Sequence, residues 1–307
     1  MSEAWKILAA LTLARMCMGF QFQAVPALAS HLTTAGGMSF AALGTLTGAY
    51  LLPGVAAALG SGWLGQRLGD IRTALWGLGL MVAGGVGGWL ANDFTAAVIW
   101  RLLAGCGAVG LNVMLNKMAA DWFQDRDDLP TAMGVLVSSW PAGIAIAMLV
   151  LPPLALSAGL GAALVVPAVL CAAALVMLAA VWRAPQGAAG PRAAQASGWP
   201  TARELVLILI AGSIWGVYNM ALIASIAWTP GLLQSHGMGE INASVAVSLI
   251  GWAAIVSVAA GGWLAAHSRW RDLPALACFA LSAAGLAALP ALGISAGSAA
   301  MMLGLGL

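Results

Sequence analysis

Residues 101–123 read RLLAGCGAVGLNVMLNKMAADWF. Within them GCGAVG (105–110) fits the G-x-G-x-x-G fingerprint of a dinucleotide loop. That loop needs a preceding strand and a helix N-terminus aimed at phosphate. Here the motif lies inside an apolar run of about 25 residues, enough to cross a bilayer as one helix. Helices in lipid pack through small residues that let their backbones approach. Ala104 and Ala108 add a small pair to the same run, and Gly84 with Gly88 repeats the device in the run before it. The glycines therefore predict close helix contact, not a nucleotide site.

The rest of the chain is built for the same solvent. Of its 307 residues, 62% are hydrophobic and 7% charged. A soluble domain carries about a quarter charged residues, so this chain cannot cover its surface in water. Strands are excluded as the spanning element, because an open sheet edge cannot face lipid. The opening MSEAWKILAALTLARMCMGF has no basic n-region and no small-residue cleavage site, and reads as a first span, not a removed signal. Cys17, Cys106, Cys171 and Cys278 stand singly in four apolar segments and imply neither disulfides nor a metal cluster.

Hydropathy predicts an all-α integral membrane chain of nine complete spans, at about 6–28, 41–64, 73–91, 95–119, 131–152, 158–182, 204–228, 241–266 and 273–291. A tenth begins near Ser295 and stops within MMLGLGL (301–307), so the second half is expected to be incomplete and the 307-residue piece to transport poorly by itself. Pro53, Pro141 and Pro167 fall inside spans, where neighbouring helices can satisfy the backbone groups they free. Alternate connections hold all the loop lysine and arginine: Arg67 and Arg72, then Arg126, then Arg183, Arg192 and Arg203, then Arg269 and Arg271. The connections around His31, Asn92, Ser157 and His236 hold none. The positive-inside rule then predicts a multi-pass protein of the cytoplasmic membrane with a cytoplasmic N-terminus.

Residues 183–203, RAPQGAAGPRAAQASGWPTAR, have the Pro, Gly, Ala and Ser content of a flexible linker. They divide a six-helix bundle at 1–182 from a second bundle at 204–307. The two sides look related. GWLGQRLGDIR (62–72) ends span 2 and GWLAAHSRWR (262–271) ends span 8, while Gly19 and Gly216 hold equivalent places in the first span of each side. Paired six-helix repeats with a solute held between them are a known transporter architecture.

These residues resemble the major facilitator superfamily. Its loop after span 2 carries a pattern close to G-x-x-x-D-R-x-G-R-[RK], matched by Gly62, Arg67, Gly69 and Arg72 but not at Gln66, where an acid is usual. The resemblance implies a gating loop of Gly62, Arg67, Gly69, Asp70, Arg72 and Asp121, with Asp70 standing in for the missing acid. Arg101, Gly105 and Gly107 match the family's R-x-x-x-G-x-G in span 4. The G-P-x-x-G-G of drug/proton antiporters is reduced to Pro141 and Gly143. FQFQAVPAL, LGQRLGD, LNVMLNKMAADWF and SWPAGIA look most like the cyanate and nitroimidazole transport-protein branch.

Two cations stand inside spans. Arg15 lies near mid-bilayer by helical rise, with Gln23 two turns on, and Arg101, Gly105, Ala108 and Asn112 share one helix face over roughly 16 Å. An arginine at a helix centre costs about 2.5–3.5 kcal/mol on insertion scales, so each needs a partner or a wet cavity. All carboxylates fall in loops or at span ends. The expected partner is the solute itself, a small anion that guanidinium forks suit. Arg101 is equally open to a structural or coupling role, and backbone carbonyls could satisfy either cation. Trp140, Trp215, Tyr218 and Asn219 are candidates for the remaining cavity wall. His31, His236 and His267 lie in loops with no nucleophile or metal-ligand spacing, so neither an enzyme, a cofactor, a metal nor a nucleic-acid partner is implied. The expectation is a monomeric secondary transporter of a small anion in the lipid bilayer. The rivals are an exporter of neutral or cationic compounds on the same fold and a non-transporting receptor.

Overall fold

The computed structural model describes residues 2–34, 36–124, 126–185, 201–267 and 272–288. The described elements are eleven helices: α1 Glu3–Ala27, α2 Ala29–Thr34, α3 Phe40–Leu51, α4 Gly54–Leu68, α5 Asp70–Leu90, α6 Phe94–Phe123, α7 Leu129–Ala158, α8 Leu160–Val181, α9 Ala202–Ser235, α10 Glu240–His267 and α11 Asp272–Ala288. Eight stretches among them are long and apolar enough to cross a membrane, α3 and α4 together forming one. The expected ninth span coincides with α11 as far as it is described, and the expected tenth and most of the linker lie outside the described residues.

Helix ends follow side-chain and glycine chemistry. Ser39 Oγ accepts from the Ala42 amide at 3.2 Å and Asp93 Oδ1 from the Ala96 amide at 2.8 Å, capping α3 and α6. Thr201 and Glu204 close a reciprocal capping box at α9. Gly69 and Gly159, at φ +89° and +90°, join α4 to α5 and α7 to α8 through a conformation that a side chain rarely adopts.

The second span departs from its expected continuity. Pro53 cannot donate to the Ala49 carbonyl, and the helix ends at Leu51 and restarts at Gly54. Pro26 and Pro141 instead sit inside unbroken helices. His31 lies in the short helix α2 instead of an open loop.

α1 is the central post of the first half, buried along most of its length and packed against α3, α6, α7 and α8. Apolar side chains on the outer faces, such as Leu52, Trp76, Ile99 and Val176, are exposed, as a lipid-facing surface requires. The three glycines of GCGAVG each meet a different neighbour. A Cβ at Gly105 would collide with the Tyr50 carbonyl of α3, and one at Gly107 with the Gly77 carbonyl of α5. One at Gly110 would stand 2.9 Å from Ser61 Oγ of α4. Gly84 of α5 faces Trp100 and Ala104 in the same manner. The contact is reciprocal at Gly77, where a Cβ would lie 2.7 Å from the Gly107 carbonyl oxygen.

Candidate functional site

Arg15 projects from α1 into the angle between α6 and α7 and is 8% exposed. Its Nε donates to Asn112 Oδ1 at 2.9 Å. Its Nη1 lies at bonding distance from three acceptors of α7: the Leu136 carbonyl (3.0 Å), the Val137 carbonyl (2.8 Å) and Ser139 Oγ (3.3 Å). Asn112 Oδ1 also accepts from Asn116 Nδ2 at 3.1 Å, so one amide oxygen serves two donors. Nη2 takes part in none of these bonds. A guanidinium has five N–H groups, and the pair on Nη2 remains for another acceptor.

Arg101 reaches the other way. From α6 its Nη1 donates to the Gln21 carbonyl (2.8 Å), its Nη2 to the Phe22 carbonyl (2.7 Å) and its Nε to the Leu46 carbonyl (3.3 Å). The guanidinium carbon also stands 4.8 Å from the centre of the Tyr50 ring, within cation–π range. The Tyr50 hydroxyl donates within reach of the Met18 carbonyl and Gln21 Oε1, at 3.3 and 3.4 Å, and Gln21 Nε2 donates to the Met81 carbonyl at 2.8 Å. Phe22 lies between Tyr50 and Trp140, its ring centroid 5.9 and 5.4 Å from theirs. Tyr50, Phe22 and Gln21 were not among the sequence candidates, since an aromatic in an apolar run gives no sign of which helix it will meet.

Arg101 and Gln21 border a cleft of about 580 Å³ whose wall also includes Trp89, Asn92, Asp93 and Leu164. Among the described residues its lining comes from the first half, residues 21–167. The expectation of Arg101 on a wall shared by the two halves differs from this placement. Arg101 and Asn112, which anchors Arg15, lie eleven residues apart on α6, about 16 Å along its axis. The two guanidiniums form separate clusters and do not make one fork. In neither cluster does a described carboxylate bond the arginine; each bond goes to a neutral oxygen.

The remaining candidates divide. Gln23 is fully buried, and neither its Oε1 nor its Nε2 has a hydrogen-bond partner. Asn219 turns back on its own helix, Nδ2 donating to the Trp215 carbonyl at 2.8 Å. Trp215 is 62% exposed and packs on Tyr218 at 5.7 Å, and Tyr218 meets Phe279 of α11 edge-on at 6.5 Å. Among the described residues, the contacts of these three second-half residues do not include either arginine cluster.

At the loop between α4 and α5, Arg67 lies over the Trp63 ring at 4.0 Å. Asp70 pairs with Lys117 of α6 instead, and Lys117 also holds Asp121 at 3.1 Å. The acid that replaces the family's usual one thus faces lysine, and Lys117 is a connecting residue that was not among the sequence candidates. Gly69 supplies the turn's positive φ, Arg72 is exposed, and no atom lies within 4 Å of a Cβ built at Gly62.

The halves touch at two levels. Near the connections free of lysine and arginine, Ser30 Oγ donates to Gln234 Oε1 at 2.9 Å, His31 Nδ1 stands 2.9 Å from Glu240 Oε1, and Phe40 faces Trp228 at 6.4 Å. Deeper, α10 packs on α7 so closely that a Cβ at Gly251 would lie 2.5 Å from the Pro141 carbonyl oxygen. The opposite end of α9, from Ala202 to Val217, is exposed.

Comparison with known proteins adds the family. The sequence profile of the Major Facilitator Superfamily matches residues 11–307. No curated protein matches in sequence. Among solved structures, a D-xylose–proton symporter superposes with TM-score 0.68 at 15% identity, covering 99% of this chain and 80% of its own. The nucleoside transporter NupG gives 0.72 at 14%, covering 99% and 79%. A bacterial homolog of the human lysosomal transporter Spinster, in an inward-facing, unoccupied conformation, gives 0.69 at 18%, covering 99% and 73%. At such identities the likeness is one of fold.

Proposed function

The chain belongs to the Major Facilitator Superfamily, and from that premise we propose that it moves a small anion across the cytoplasmic membrane by alternating access. It is a multi-pass membrane transporter and not an enzyme. The halves at 1–182 and 204–307, joined by the 183–203 linker, would rock against each other, with the N-terminus cytoplasmic. The contacts at Ser30–Gln234 and His31–Glu240 join the halves at the end that the orientation puts outside, which suits a conformation closed on that side.

One observation carries the anion reading. Both intramembrane guanidiniums keep a full positive charge whose bonded partners are neutral oxygens. Carbonyl dipoles offset part of the desolvation cost but cancel no charge, so an anion is favoured wherever it can approach. Arg101, on the cleft wall, is the proposed contact. Arg15, Gln23, Asn112, Trp140, Trp215, Tyr218 and Asn219 are proposed as further solute-facing groups, and the Gly62–Arg72 loop with Asp121 as the gate. A neutral solute is the second reading. It is favoured by the carbonyl bonds themselves, which already give each arginine a task in holding helices together.

The test is flux into proteoliposomes for cyanate, nitrite, formate and acetate against D-xylose and uridine. The proposal expects saturable anion flux that falls at least tenfold in Arg101→Met, with neither neutral solute carried. Flux of D-xylose or uridine that survives Arg101→Met, with no anion flux, would transfer the assignment to the second reading.

A further inference from the structure

Both arginines choose acceptors by one rule. In an α-helix the amide of residue i bonds the carbonyl of residue i−4. Proline has no amide hydrogen, and its ring pushes that carbonyl aside. Pro26 in α1 therefore leaves the Phe22 carbonyl without its donor, and Pro141 in α7 does the same to Val137. Arg101 donates to Phe22 at 2.7 Å, and Arg15 donates to Val137 at 2.8 Å. In each case this is the shortest bond the arginine makes. Each also takes the carbonyl one residue earlier, Gln21 and Leu136, so the acceptors stand at the same two places relative to the proline.

We propose that Arg101 and Arg15 are positioning residues that substitute, from a neighbouring helix, for the amide hydrogens missing at Pro26 and Pro141, and so tie α1 and α7 to their neighbours at the proline turns through the transport cycle. The donors form a series. α6 braces α1, α1 braces α7, and the Pro141 carbonyl is the surface on which Gly251 of the second half rests. A guanidinium suits the task because it offers several donors in a rigid fork and never loses its proton. The proline turns thus stay tied to their neighbouring helices while the halves move, and unsatisfied carbonyls are kept from lipid. The inference does not depend on the charge of the solute.

The test is a set of double-mutant cycles on the 307-residue chain purified in detergent, reading the folded-to-unfolded ratio from thermal unfolding. The matched cycles combine Arg15→Met with Pro141→Ala and Arg101→Met with Pro26→Ala. The crossed cycles combine Arg15→Met with Pro26→Ala and Arg101→Met with Pro141→Ala. Alanine restores the in-helix donor, so the arginine's loss should matter less beside its own proline. The expected result is a loss of about tenfold for each methionine variant alone, since bonds to charged groups carry roughly this weight. In the matched double it should shrink to threefold or less, while the crossed pairs multiply within error. Lysine, with fewer donors, should fall between arginine and methionine. If a methionine variant cannot be purified, the lysine variants run the same cycles under the same criterion. Matched and crossed pairs behaving alike would overturn the proposal, because a general packing role for arginine has no reason to know which proline was changed.

Discussion

Gly77 and Gly79 stand two residues apart on α5, and exchanging each for alanine should have opposite consequences. A Cβ at Gly77 would lie 2.7 Å from the Gly107 carbonyl oxygen, 2.9 Å from the Leu111 amide nitrogen and 3.2 Å from Leu111 Cβ. Comfortable heavy-atom separations begin at about 3.5 Å, so α5 and α6 would have to part by roughly 0.6–0.8 Å along their tightest contact. Two of the three obstacles are backbone and cannot swing away. Overpacking of this kind costs about 1–3 kcal/mol. At Gly79 a Cβ meets nothing within 4 Å, so Gly79→Ala carries only the gain in helix propensity, up to about 1 kcal/mol in water. That gain is common to both variants and cancels between them. The difference in unfolding free energy should therefore be about 1–3 kcal/mol in favour of Gly79→Ala. Denaturant titration in mixed micelles would measure it, with tryptophan fluorescence as the probe. A Gly77→Ala protein as stable as Gly79→Ala would show that the glycines at 77, 105 and 107 are not there for backbone approach.

Other consequences are open to direct measurement. With Cys17, Cys106, Cys171 and Cys278 replaced by alanine, Ser30→Cys and Gln234→Cys should be joined by a short bis-methanethiosulfonate, whereas Ser30→Cys with Arg203→Cys should not; equal yields would contradict the contact between halves at that end. In the same background and in intact cells, His236→Cys should react with a membrane-impermeant maleimide and Asp127→Cys should not, and the reverse pattern would invert the proposed orientation. Lys117 bridges Asp70 and Asp121 with 53% of its side chain exposed. Screening then limits the loss on Lys117→Met to less than about 1 kcal/mol of unfolding free energy, and a loss of several kcal/mol would show that the bridge has been undervalued.

Most of the architecture could be read directly from residues. The run at 95–119 corresponds to α6 at Phe94–Phe123, and that at 158–182 to α8 at Leu160–Val181. Hydropathy along the chain is a local property, and a bilayer selects for it span by span. The family resemblance put Gly69 in the loop after span 2, where it makes the turn, and small-residue chemistry assigned the GCGAVG glycines to packing. The break at Pro53 was less legible, because the same residue at 26 and 141 leaves its helix continuous.

The partners of the charged residues followed a different logic. That Arg15 and Arg101 stand in apolar runs, and that no acid shares those runs, is written in the letters alone. Which oxygens meet them is not. Every residue carries the same carbonyl, so an acceptor such as Phe22 or Val137 has no letter of its own, and only the height at which two helices cross selects it. The same holds for Lys117, which reaches Asp70 across 47 residues because α5 begins where α6 ends. Composition and periodicity determined that this chain is a bundle of membrane helices with two cations inside. The packing of α1 against α6 and α7 decided what those cations hold, because a hydrogen bond depends on distances that no stretch of sequence contains.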